Sequence, residues 1–176
     1  YRLELRKVLD ENTQEAVNKL NTIIPLLPLK TKSVQIMIFP EQDGEGTFGV
    51  RVLLDGPDLF VLNKTIKDFA DLINVRHTTK GLTPPVPLLD PFKSKFEVND
   101  VLSDVVGDWV YTLWDQVDSE ILEVPITLVA EAGWGSIFPK SLNTETTNSK
   151  KKIVIPSLTT VKLSFWDRLR GFFTTK

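Results

Sequence analysis

The sequence predicts an α+β fold, in which a mainly antiparallel sheet of about four strands is packed by three to four helices forming a single layer on one face. Three observations predict it. Apolar residues recur with a helical period in one long segment, Asn99 to Val117, and in another near the start. Two stretches of strict alternation, Ser33 to Phe39 and Thr47 to Leu54, flank a polar turn, the pattern of a hairpin. The overall order (helix, two strands, helix, long loop, helix, two strands, helix) lacks the regular strand-helix alternation that builds parallel sheets.

The opening segment carries Leu5, Val8, Leu9, Ala16, Val17, Leu20, Ile23 and Ile24 at helical spacing, with a break expected between Asp10 and Thr13 and a stop at Pro25 and Pro28. In the hairpin, Val34, Ile36 and Ile38 share one face with Phe48, Val50, Val52 and Leu54. The link from Pro40 to Gly46 is rich in turn formers. After Asp55-Gly56-Pro57-Asp58 a short helix is expected, with Ile66, Phe69, Ala70 and Ile73 on one face and Thr65 with Asp68 as a capping box. Arg76 to Pro91 reads as loop, because Pro84, Pro85, Pro87 and Pro91 force extended backbone.

Along the helix expected from Asn99 to Val117, Val101, Leu102, Val105, Val106, Trp109, Val110, Leu113 and Val117 keep the 3.6-residue period, and Asn99 or Asp100 is its expected N-cap. Leu122 to Ala130 reads as a strand, Gly133-Trp134-Gly135 as a turn, and Asn143 to Lys152 as a polar loop. A strand at Ile153 to Leu163 and an amphipathic helix over about 164–174 complete the chain. Residues 1–176 read as one domain, since the part before the long loop offers too small a core to stand alone.

Composition removes whole classes of chemistry. With no cysteine among 176 residues, thiol nucleophiles, iron–sulfur clusters, zinc ribbons and disulfide frameworks are excluded. His77 is the only histidine, which excludes two-histidine metal sites and any triad needing a second imidazole. Neither a metal nor a cofactor is expected. No apolar run reaches the roughly 18 residues of a spanning helix, so a soluble, cytoplasmic protein is expected. The chain begins at Tyr1 rather than Met and so carries no information about an upstream leader.

The distribution of charge is more informative than its sum. No Lys or Arg occurs from Phe96 through Pro139, a stretch holding Glu97, Asp100, Asp104, Asp108, Asp115, Asp118, Glu120, Glu123 and Glu131. On a helix, the five aspartates fall opposite the apolar face, with Tyr111 among them. Like charges one turn apart destabilise a helix by a few tenths of a kcal/mol, and Asp115 and Asp118 also sit near the negative end of the dipole. A compensating cation is therefore expected, either from the protein's own lysines or from a basic protein partner that Asp104, Asp108, Asp115 and Asp118 steer and Tyr111 anchors.

From Lys140 onward the balance reverses, with eight basic residues against Glu145 and Asp167. Phe165, Trp166, Arg168, Arg170 and Phe172 form a basic aromatic helix that suits the domain's own core, a partner, or an anionic membrane surface. Nucleic acid is not an expected partner, because the formal net charge is -2 and no basic stripe carries interleaved aromatics.

Weaker signals complete the reading. Trp134, between two glycines, marks a candidate ligand loop or a turn covering the core. Asp43, Glu45, Asp55 and Asp58 could supply a carboxylate-based enzyme at the hairpin ends. Asn63-Lys64-Thr65 matches a glycosylation acceptor and equally a helix start. His77 reads as a solvated loop residue. By charge logic the leading expectation is a non-catalytic binding domain, resembling an immunity protein, inhibitor or adaptor. The alternatives are a peripheral membrane or scaffold protein and a carboxylate enzyme.

Overall fold

A computed structural model of the chain describes residues 1–40, 46–90, 93–118 and 122–143. Contacts gather the described residues into one compact unit, Tyr1–Thr144. The expected strand at Ile153 to Leu163 and the terminal helix, with Phe165, Trp166, Arg168, Arg170 and Phe172, lie outside the described residues.

The predicted opening helix is two helices, α1 (Arg2–Glu11) and α2 (Thr13–Ile23), parted at Asn12 inside the expected window. The Asn12 side-chain amide donates to the Val8 carbonyl at 2.8 Å, a local bond that competes with continuing the helix. Breaking there lets Leu5 and Leu9 of α1 and Ala16, Val17, Leu20 and Ile23 of α2 all reach the core. A 3-10 turn, Ile24–Leu26, then carries the chain past Pro25.

Strands β1 (Ser33–Pro40) and β2 (Phe48–Asp55) form the expected hairpin, in register from Ser33 opposite Asp55 to Pro40 opposite Phe48. Their burial alternates residue by residue. The buried set Val34, Ile36, Ile38, Val50 and Val52 joins the helices in one core, so the helices cover that face and the other is half exposed.

The next segment corrects the reading. Helix α3 is Leu59–Lys64, earlier and shorter than expected, and Thr65 stands at its end, its hydroxyl donating to the Leu62 carbonyl at 2.7 Å. Ile73 belongs not to a helix but to β3 (Asp71–Thr78), antiparallel to β2. The pairing slips between Val50 and Arg51, so Leu72 and Ile73 are buried in succession. That irregularity hides the alternation by which a strand is recognised. A second short strand, β4 (Gly81–Thr83), pairs with the end of β3 inside the expected loop. Asn63 does not start a helix but stands near the end of α3: its carbonyl accepts the Leu54 N–H at 2.9 Å, and its amide donates to the carbonyls of Leu54 and Leu59. It pins α3 to the end of β2.

Helix α4 (Val98–Trp114) buries the predicted apolar face, but its N-cap is Glu97, without a side-chain capping bond, and it stops short of Val117. β5 (Ile126–Ala130) pairs with β1 in parallel, from Val34 opposite Ile126 to Ile38 opposite Ala130. β6 (Lys140–Ser141) adds an antiparallel edge, giving the order β4-β3-β2-β1-β5-β6. The sheet is thus mixed and six-stranded rather than mainly antiparallel with four. β2 already holds one edge of β1, and the chain returns through α4 to the other edge, a crossover that makes the new pair parallel. Among the described residues no helix is long and apolar enough to cross a membrane.

Tyr1 offers a pH prediction. Burial pushes its phenol up to about 12 from an ordinary 10.0. The unfolded chain therefore loses this proton first, and the contribution of the buried neutral ring is complete below pH 10 and declines as pH rises toward 12. Denaturant unfolding across that window should show a fall in stability that is shallower in Tyr1→Phe. Equal slopes in the two proteins would refute the assignment.

Candidate functional site

The acidic face of α4 divides into two halves with different occupations. Near its N-terminal end, the Asp100 carboxylate accepts the Gly135 N–H at 2.8 Å. Asp104 accepts the Ser136 N–H at 2.7 Å through one oxygen and the Ser136 hydroxyl at 2.9 Å through the other. These carboxylates hold the loop that leaves β5 through the 3-10 turn Glu131–Gly133. Charge-assisted bonds of this kind are stronger than neutral ones, and they satisfy amides in a loop that has no ladder partner of its own.

Two glycines make the clamp geometrically feasible. Gly135 has φ +86, and a Cβ there would lie 2.7 Å from the Phe138 ring and 2.9 Å from an Asp104 oxygen. Gly107, on α4, would place a Cβ 2.6 Å from the tip of the same ring. The helix thus carries a notch that receives Phe138, and the loop turns left-handed to deliver it. Trp134 is half-buried in this loop. The adjacent amides a ligand would use, those of Gly135 and Ser136, are already taken by Asp100 and Asp104.

Tyr111 is 41% exposed, and the ammonium of Lys140 sits 3.7 Å from its ring centroid. This is cation–π geometry, and it places the first cation after the cation-free stretch directly on the acidic face. The expected anchor for a partner is therefore covered by a lysine of the same fold.

Asp108, Asp115 and Asp118 are exposed, and none has an ion pair among the described residues. The ion pairs that are formed, such as Arg6–Asp10, Lys19–Glu15 and Arg51–Asp71, lie elsewhere. Asn21 accepts the Asp118 N–H at 3.2 Å and so holds the chain after α4 against the end of α2. There Asp118 and Glu123 line a cavity of about 780 Å³ whose walls include Ile24, Leu27 and Val124. Only Asp118 of this cavity is singled out by sequence. The available signal was the run Pro25-Leu-Leu-Pro-Leu29, in which Leu26 and Leu29 stay exposed.

Of the carboxylates proposed for an enzyme, Asp43 and Glu45 lie outside the described residues; Asp55 accepts the Ser33 hydroxyl at 3.4 Å, and Asp58 occupies a left-handed turn at φ 62 before α3. Among the described residues no group of three or more potential ligands could hold a metal ion. His77 is exposed on β3, opposite Leu82, rather than in a loop.

No curated protein and no solved structure matches the chain. Residues 1–144, which span the α4 face and the loop it clamps, match the family of unknown function DUF6389, and the chain belongs to that family.

Proposed function

We propose that this domain is a non-catalytic binding module that engages a basic protein surface through Asp108 on α4 and Asp115 and Asp118 at and just past its C-terminal end, in the manner of an immunity protein, inhibitor or adaptor. One observation carries the reading: Asp108, Asp115 and Asp118 are exposed and without ion pairs among the described residues, while Asp100 and Asp104 of the same face are used internally. A helix that keeps like charges toward its negative end gives up stability, which a binding role accounts for. The cavity beside Asp118 adds concave, partly apolar surface of the kind that receives a partner's side chain.

Affinity capture with the wild-type domain and with Asp108→Lys, Asp115→Lys, Asp118→Lys combined tests this reading. Partners should be lost on reversal, and their affinity for the wild type should fall steeply between about 50 mM and about 300 mM salt. Partners retained by the reversed domain would rule the reading out. Asp104 stays unaltered in this experiment because its carboxylate supports the fold.

A further inference from the structure

The sheet face turned away from the helices has a depression that nothing within the domain accounts for. Gly49 lies there in β2, paired on both sides, opposite Phe39 of β1 and Asn74 of β3. Its φ is not in the left-handed region, and among the described residues a Cβ there would meet only the Ile73 carbonyl, at 3.9 Å. The slip in the ladder falls one residue later, between Val50 and Arg51, so it does not require glycine at 49 either. Glycine weakens a strand. Where the fold asks for neither its conformation nor its size, the remaining reason for it is a neighbour from another molecule that comes close.

The surroundings of this depression specify the neighbour. Met37, Phe39, Leu53 and Val129 are half-buried on the same face, with Met37 opposite Val129 across β1 and β5. Beside them Arg51 and Asp71 pair with each other at 3.3 Å, so the centre of the face carries no unbalanced charge among the described residues. Such a face does not suit the basic partner of the α4 surface, but it suits its own duplicate. Phe39 and Gly49 are direct neighbours across the ladder, so a two-fold axis running between β1 and β2, parallel to the strands, sets Phe39 of each copy over Gly49 of the other. At about 3.3 Å per residue and about 4.8 Å between strands, β3, β2, β1 and β5 offer a plane on the order of 400 Å². Side-chain relief takes the accessible area buried by two such faces toward about 1,200 Å², the low end of specific interfaces.

We propose that the domain forms a two-fold dimer by stacking this sheet face on that of a second copy, with each Phe39 ring seated in the depression at the other copy's Gly49. Helices α1, α2 and α4 pack on the opposite face, so both acidic surfaces stay outward and the dimer forms independently of them. An interface of this size gives a weak association that depends on concentration.

Met37 is the chain's one methionine and lies at the centre of the face, so its labelled methyl gives a single reporting signal. In sedimentation of the full chain from about 1 µM to about 500 µM, the mass should pass from monomer to dimer. The Met37 methyl should shift over the same range and show contacts between labelled and unlabelled copies. Gly49→Val fills the depression while favouring a strand, so it should keep or raise the stability of the monomer and weaken the dimer about tenfold or more. Gln35→Lys, on the same face, should also weaken it, because the new charge would be buried unpaired, and it decides the matter where Gly49→Val does not fold. Asp108→Lys, Asp115→Lys, Asp118→Lys combined should dimerise as the wild type does, so that failure of the α4 surface and failure of this one are read separately. A wild-type chain that stays monomeric throughout, whatever else covers the face, would overturn the proposal, as would a dimer that both substitutions on the sheet leave intact.

Discussion

Trp109→Ala should cost about 3–5 kcal/mol of folding stability, the largest effect expected from a single side chain in this domain. Trp109 has no exposed surface and projects from the buried face of α4 into the core shared with α1 and α2. Its indole N–H donates to the Thr13 hydroxyl at 3.0 Å, which ties the helix to the start of α2 just after the break at Asn12. Truncation leaves a large cavity and removes that tie. With margins of about 5–15 kcal/mol typical of domains, much of the stability would be gone. Trp109→Phe keeps most of the volume and should cost distinctly less. Urea unfolding of the two variants checks this, and a loss below about 1 kcal/mol for alanine would mean that the site collapses around the truncation.

Gly135→Ala should be the second most damaging change, at about 2–4 kcal/mol. Two independent penalties act at one carbon. The residue sits at φ +86, where an L side chain is strained, and the new Cβ would press on the Phe138 ring at 2.7 Å and on an Asp104 oxygen at 2.9 Å. Relief requires the loop to lift, which also breaks the bonds from Gly135 and Ser136 to Asp100 and Asp104. Denaturant unfolding, together with faster hydrogen exchange of the Gly135 and Ser136 amides, would report both events. Unchanged exchange with full stability would show that the clamp does not depend on the left-handed turn.

The parts of the fold that could be read from sequence are those in which one period governs the segment. The hairpin of β1 and β2 alternates cleanly, and α4 keeps the helical period along its buried face. The break at Asn12 could be read because small polar residues there interrupt the apolar pattern. β3 could not: the slip between Val50 and Arg51 buries Leu72 and Ile73 together, and Ile66, Ala70 and Ile73 then imitate a helix face. The parallel pairing of β1 with β5 depends on the path of the whole chain, which no local pattern encodes.

The site was legible by charge and not by contact. Helical spacing placed the aspartates on one face of α4, yet nothing in sequence spacing links Asp100 to Gly135, Asp104 to Ser136 or Tyr111 to Lys140. Those pairs form because β5 lies next to β1, under α4, and its following loop must cross the helix. The cavity beside Asp118 was missed for the same reason, since its described walls come from distant parts of the chain, Asn21 to Thr31 on one side and Asp118 with Leu122, Glu123 and Val124 on the other.

The decisive measurement is the stability of Asp108→Asn, Asp115→Asn, Asp118→Asn combined, by urea unfolding at low and at high salt. Asn and Asp have similar helix propensities, so the change isolates charge. If these carboxylates lack internal partners, the variant gains about 0.5–1 kcal/mol at low salt and the gain vanishes at high salt, while Asp104→Asn alone loses about 1 kcal/mol. A triple variant less stable than wild type by about 1 kcal/mol or more at low salt would show that cations of the protein itself already neutralise this edge, and no charge would be left for a partner to meet.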